Sequence, residues 1–215
     1  MHSLQRLRAR IYLDDGAIQA SQLMPEGRYS IERDEECWHF LLIDDRDEVA
    51  ACVRHLLHPN TITFCDLLLR RSALAQDPVW GKRLRAAVGA DLDEARAHQL
   101  WYAELGGWAL AKEYRGTTAA LKILLASYAW GRLMGGCHCS CTATKKNNSA
   151  SLLRRIGGVS LKTDSIELPP YEEPLYGSTM EMSRFDFGPL RCAMKHLFDL
   201  FRSNCKVPCL LRTVS

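Results

Sequence analysis

The segment LWYAELGGWAL, residues 100–110, constrains the fold of this chain more than any other. An apolar run of this length, rich in aromatic residues, reads as a buried strand. Gly106-Gly107 interrupts it, and glycines inside a strand mark a bulge or a close backbone approach. A short polar turn, KEYRGT, follows, and residues 117–134 then carry a strong helical pattern closed by Gly135-Gly136. A buried strand that turns directly into a long helix has to be covered on its faces, which predicts a layered α/β domain.

The flanking sequence fits that expectation. Leu4, Leu7 and Ile11 recur at helical spacing over 3–13, with Ser3 as N-cap. Residues 37–43 and 49–57 read as a strand pair joined by the charged segment DDRDE. Residues 61–69 fit strand or helix equally. Val79, Leu84, Val88, Leu92 and Ala95 form a helical stripe over 79–98. Cys137–Thr144 alternates as a strand, 149–156 reads as a helix, 165–176 with its three prolines as loop, 176–187 as a last strand and 189–204 as a last amphipathic helix. No linker-like stretch divides the chain, so the expectation is one domain over 1–215, with a mixed sheet and helices on both faces.

Charge adds a constraint on partners. The net charge is only +3, but residues 32–48 hold eight acidic residues against Arg33 and Arg46. Residues 112–162 hold nine basic residues against Glu113 alone. A basic middle third fits an anionic partner: nucleic acid, a phosphate-bearing cofactor or an acidic carrier protein. No recognition helix or aromatic RNA motif accompanies it, so nucleic acid ranks last. No apolar run reaches a membrane span, and no signal-peptide pattern opens the chain. A cytoplasmic protein with mostly reduced thiols is expected from nine cysteines without framework spacing. Cys137, Cys139 and Cys141 alternate along one strand, about 6.6 Å apart on one face. Tetrahedral metal needs its sulfurs closer, so no metal is expected there.

The chemistry concentrates between Glu104 and Thr118. A turn entering a helix offers unpaired N–H groups and the positive end of the helix dipole, which together make an anion site. Gly116 and the small residues Thr117, Thr118, Ala119 and Ala120 let a phosphate approach the backbone, and Arg115 adds a cation. The pattern is neither a P-loop nor a dinucleotide fingerprint. Glu104, among Trp101, Tyr102, Leu105 and Trp108, is either a base or a core glutamate paired with Arg54 or another cation. Asn148 either caps the helix behind it or touches a ligand.

Arg115-Gly116-Thr117-Thr118-Ala119 opening a helix after a long strand resembles the acyl-CoA loop of the GNAT acyltransferases, with Thr118 in the place of the usual second glycine. Within that superfamily the chain is similar to the acyl-homoserine-lactone synthases and the long-chain N-acyl amino acid synthases. Arg10 and Tyr12 sit where that branch has an N-terminal Arg and aromatic residue, and Arg54 sits on the second strand like its Arg. Glu104 is followed by Leu-Gly-Gly rather than by Leu/Ile/Val-Ser-Arg, which favours an N-acyl amino acid or another amine acceptor over a homoserine lactone.

The resemblance implies a GNAT-like, largely antiparallel sheet and transfer of an acyl group from an acyl-carrier-protein phosphopantetheine or acyl-CoA thioester to a small amine. It implies Glu104 as catalytic base. The donor would lie along Trp108, Ala109, Leu110, Arg115, Gly116, Thr117, Thr118, Ala119, Ala120 and Asn148. Trp38, Arg54, Gly106 and Gly107 would meet the acceptor. Lys145, Lys146, Arg154 and Arg155 would dock an acyl carrier protein. The alternative is a non-catalytic acyl-CoA or pantetheine-binding module.

Overall fold

A computed structural model describes residues 1–186, so the helix expected over 189–204 lies outside the described residues. The chain opens with α1 (His2–Asp14), followed by β1 (Trp38–Ile43), β2 (Val49–His58), α2 (Ala73–Gln76), α3 (Trp80–Ala97) and β3 (Trp101–Leu110). Then come α4 (Ala119–Leu133), β4 (Cys137–Thr144), α5 (Ser149–Arg155), β5 (Val159–Ser160), β6 (Lys162–Thr163), β7 (Ile166–Glu167), β8 (Tyr171–Glu173) and β9 (Ser178–Asp186). Seven strands form the main sheet in the order β1-β2-β3-β4-β9-β5, with β8 also on β9, while β6 and β7 make a separate ribbon. β3 and β4 run parallel; β1 with β2, and β9 with each of β4, β5 and β8, run antiparallel. The parallel pair follows from the long connection through α4, since only a crossover of a dozen or more residues can make one.

The chain divides into two compact units, one of residues 1–56 and 106–131, the other of 57–105 and 132–186 among those described. In the first unit, Leu4, Leu7 and Ile11 of α1 form one apolar stripe and pack with Leu41, Cys52, Ala109 and Ala111. The stripe is the one the sequence predicts, but the helix starts at His2 and Met1 gives it no side-chain cap, so Ser3 is not the N-cap. In the second unit, Leu84, Val88 and Leu92 of α3 join Leu67, Leu74, Tyr102, Leu161 and Met182 in a separate core. The ambiguous stretch 61–69 folds as two short 3-10 turns around Phe64–Asp66 and Leu68–Arg71. The expected loop 165–176 contains β7 and β8; its prolines fall just outside both strands, where they cost no ladder hydrogen bond.

His55 sets a pH limit on the first unit. Its ring is fully buried, with Nδ1 3.1 Å from Ser127 Oγ and its centroid 5.1 Å from that of the Trp130 ring in an edge-on contact. Burial pushes its pKa down to about 3. The unfolded chain takes up this proton near pH 6.5 and the folded chain does not until about pH 3. Stability from this group is therefore complete above pH 6.5 and drains as the pH falls below it. The thermal midpoint should drop between pH 6.5 and 4, and His55→Asn should shrink that drop in a pH series of melting curves. A slope identical to the parent's would exclude His55 as a source.

Candidate functional site

The first unit holds a cluster of buried charge at Arg8, Asp34 and Arg54. Arg8 lies on the apolar face of α1, one turn after Leu4, and has no exposed surface. Its Nη1 donates to Asp34 Oδ2 at 2.6 Å. Arg54, on β2 directly opposite His39 of β1, donates from Nη1 to Glu32 O at 2.7 Å and stands 3.8 Å from Asp34 Oδ1. Asp34 also accepts the Ile31 amide at 3.0 Å, and His39 Nε2 meets the Asp34 carbonyl at 2.7 Å. The loop 30–36 is thus tied to α1, β1 and β2 through one aspartate. The N-terminal arginine that points inward is Arg8, because the helix turns Arg10 to the solvent.

Gly106 and Gly107 lie against these guanidiniums. Gly107 has φ +59°, and a Cβ there would meet Arg54 Cγ and Cδ at 3.0 Å and Arg8 Nη2 at 3.2 Å. A Cβ on Gly106 would meet only Arg54 Nε, at 3.9 Å. Gly107 is therefore a close-approach site with a left-handed backbone. Trp38, the other residue expected here, packs against Trp130 with ring centroids 4.8 Å apart and planes tilted by 46°. Tyr12 donates to Trp108 O at 3.3 Å, which anchors α1 to the end of β3.

The turn before α4 is also in the first unit. Arg115, Gly116, Thr117 and Thr118 are exposed, and Gly116 has φ +78° with open space where its Cβ would be. Thr117 Oγ1 accepts the Ala119 amide at 3.1 Å, and the first turn of α4 has no acidic residue. The helix starts two residues later than the sequence pattern suggests, because Thr117 serves the turn. Arg115 is not a free cation: its Nη2 reaches Asp15 Oδ2 and Oδ1 at 2.8 and 3.0 Å. Lys112 pairs with Asp14 at 3.1 Å.

Glu104 belongs to the second unit and is buried. His58 Nε2 lies 3.0 Å from its Oε2; Leu68 N donates to the same oxygen at 3.0 Å and Leu69 N to Oε1 at 2.8 Å. Its partner is thus a histidine on the last residue of β2, together with two backbone amides. Asn148 takes the N-cap position of α5 with φ +57° but makes no side-chain cap bond, so capping does not account for its side chain. Of the four cations after β4, Lys145 and Arg154 both pair with Glu181, Lys145 at 3.5 Å, while Lys146 and Arg155 are exposed. The thiols of Cys137, Cys139 and Cys141 are buried, and burial pushes all three pKa values up, so they behave as inert core groups.

One further cluster lies outside the sequence-based expectations. Asp91, Glu94 and His138 bring ligand-type atoms within 4.8 Å of one another. Arg184 already sits among them, 3.1 Å from Asp91, 3.2 Å from Glu94 and 3.5 Å from His138 Nδ1. The guanidinium supplies the positive charge that this acidic group calls for.

Gly107→Ala should destabilise the first unit by about 1–3 kcal/mol, since it adds a strained φ to a close contact. Gly106→Ala, which meets nothing nearer than 3.9 Å, should be tolerated. Urea unfolding of the two variants makes the comparison, and equal midpoints would show that the bulge tolerates a side chain.

No protein-family model matches the chain, and no curated protein matches it in sequence. Among solved structures, BjaI, described as a CoA-dependent acyl-homoserine lactone synthase and determined with SAM and isopentyl-CoA, matches with a TM-score of 0.57 at 15% identity, over 97% of this chain and 83% of that one. The acyl-homoserine lactone synthase LasI matches with a TM-score of 0.56 at 12% identity, over 87% and 82%. FeeM, an N-acyl amino acid synthase from uncultured soil microbes, matches with a TM-score of 0.50 at 9% identity, over 86% and 89%. No helix among the described residues is long and apolar enough to cross a membrane. The mixed, largely antiparallel sheet with its α4 crossover is the GNAT-like acyltransferase fold, in the form that the acyl-homoserine lactone and N-acyl amino acid synthases share.

Proposed function

We propose that this chain is an N-acyltransferase that moves an acyl group from a CoA or acyl-carrier-protein thioester to the amine of an amino acid or related small acceptor. The observation that carries the reading is the exposed Arg115–Thr118 turn at the head of α4, a fifteen-residue helix with no acid in its first turn. A positive helix end and a glycine with open space where its Cβ would be make a seat for a pyrophosphate or phosphopantetheine phosphate. That BjaI was determined with isopentyl-CoA supports a CoA thioester as the donor. Lys146 and Arg155 would add attraction for the acidic surface of a carrier protein. Lys145 and Arg154 contribute less, because Glu181 already engages them.

In this reaction the acceptor nitrogen attacks the thioester carbonyl, the new C–N bond forms, and the C–S bond breaks to release the thiol. The amine must lose a proton, and the Glu104–His58 pair takes it. The developing oxyanion is met by the backbone N–H groups of Gly106 and Gly107. The leaving thiolate gains, in net, the proton that the amine gave up, and departs as the free thiol.

The alternative, a non-catalytic acyl-CoA or pantetheine-binding module, draws on one observation: Glu104 already accepts three hydrogen bonds, as a purely structural carboxylate would. Incubation with acyl-CoA and pooled amino acids separates the two. An N-acyl product and free thiol in equal amounts, detected by mass spectrometry and thiol titration, are the expected result. Donor binding without thiol release would mean a binding module. Glu104→Gln should lower turnover about 10²–10⁴-fold with donor affinity unchanged. Arg115→Ala should weaken donor binding by about 1.5–3 kcal/mol, and unchanged affinity would remove the phosphate seat from this turn.

A further inference from the structure

The two 3-10 turns over 64–71, α2 and the first half of α3 form one corner of the second unit. Leu67, Leu69, Leu74, Ala75 and Leu84 share its core, and Phe64 and Trp80 pack against that core half-buried. The start of α3 is pressed onto the end of α2: a Cβ on Gly81 would come within 2.4 Å of the Ala75 carbonyl oxygen. The outer side of this corner is basic. Residues 67–90 carry Arg70, Arg71, Lys82, Arg83 and Arg85 against Asp77 alone.

Local stability does not account for that charge. The first turn of a helix favours acidic residues, because the macrodipole is positive there. Yet α3 has no acid in its first turn and places Lys82, Arg83 and Arg85 among its first six residues. The acids nearby serve backbone amides. Asp77 Oδ1 accepts from Val79 at 2.8 Å and Trp80 at 2.7 Å, Asp66 Oδ2 from Thr63 at 2.8 Å, and Glu173 Oε2 from Ala73 at 3.0 Å. Arg70, Lys82 and Arg85 are exposed and form no ion pair among the described residues. Arg83 Nη1 is buried and has no hydrogen-bond partner there.

Two of the arginines lie over aromatic rings. Arg83 Cζ is 5.4 Å from the Trp80 centroid, and Arg85 Cζ is 5.7 Å from that of Phe64. At the helical spacing Lys82 falls between those two arginines, followed on the same solvent face by Ala86 and Ala90, with no acid before Asp93. Val79, just ahead of the helix, is apolar and 59% exposed. Cations interleaved with aromatic rings and an exposed apolar side chain suit the boundary of a bilayer, where phosphates meet acyl chains. Nucleic acid would answer the cations but would leave Val79 in water.

We infer that this corner docks on an anionic phospholipid surface. Arg70, Lys82, Arg83 and Arg85 meet the headgroup phosphates, and Val79 and Trp80 reach the acyl-chain boundary. The attraction sums several exposed cations, so it fades with salt. It is separate from acyl transfer and does not rest on that reading.

The full chain is sedimented with vesicles of phosphatidylcholine alone and of phosphatidylcholine mixed with phosphatidylglycerol, at low and high salt. A duplex oligonucleotide serves as the rival polyanion in a parallel binding assay. The mixed vesicles should carry the protein down at low salt, and the neutral ones should not. Arg70→Gln combined with Lys82→Gln removes two exposed charges without touching the core. Partitioning should fall roughly twentyfold, about fivefold for each cation. Val79→Asp separates the surface from the fold. An acid at the head of α3 suits the helix dipole, so the thermal midpoint should hold while vesicle binding falls at least about fivefold.

The docking surface is overturned if neutral vesicles bind as well as anionic ones, if salt leaves binding unchanged, or if either variant partitions like the parent. Binding of the oligonucleotide without binding of vesicles would also overturn it, and would make the corner a nucleic-acid surface instead.

Discussion

A guanidinium with no exposed surface must have its charge answered from within the protein, and Asp34 does this for Arg8 at 2.6 Å. Everything described in the first unit hangs on that pair. Asp34 fixes the loop 30–36 through the Ile31 amide, its carbonyl receives His39, and Arg54 comes in from β2 to hold the Glu32 carbonyl. Removing one member of such a pair leaves the other charged and buried, at a cost of about 3–5 kcal/mol. The cluster thereby forces α1, the acidic loop and β2 into one arrangement. It also requires glycine at 107, since any side chain there would strike Arg54 and Arg8.

The second unit solves a similar problem with opposite charge. Glu104 would be costly inside a strand, but His58 and the amides of Leu68 and Leu69 surround its carboxylate. Those amides belong to a 3-10 turn that has no regular ladder of its own. The carboxylate thus gives an irregular segment its backbone partners, and the segment in turn keeps the carboxylate buried. The same arrangement sets the chemistry open to Glu104: His58 meets the carboxylate directly, so the two act as one pair.

The strands 38–43, 49–58, 101–110 and 137–144 were legible because alternation, turn residues and glycines mark them within the chain itself. Residues 61–69 were not, because what shapes them is the Glu104 carboxylate, some thirty-five positions away in sequence. Arg8 was legible in principle, since its spacing from Leu4 puts it on the apolar stripe of α1. Asp34 was not: it is one of eight acids in a short stretch, and only the partner on α1 selects it for burial. His58 escaped notice by one residue, beyond the end of the strand that the pattern supports. Arg115 was placed correctly in its turn, while its pairing with Asp15 depends on where α1 ends.

The contrast between the two buried clusters separates structure from function better than burial does. Both put ionised groups where water does not reach. Around Glu104 each carboxylate oxygen has a donor, which holds the carboxylate in one orientation. Around Arg8 and Arg54 three donor atoms and one acceptor have no hydrogen-bond partner among the described residues, and both side chains press on the bare backbone of Gly107. Local rules of satisfaction are obeyed throughout most of a fold and broken at sites that a ligand completes. By that criterion the cluster of Arg8, Asp34 and Arg54 is the less completed of the two.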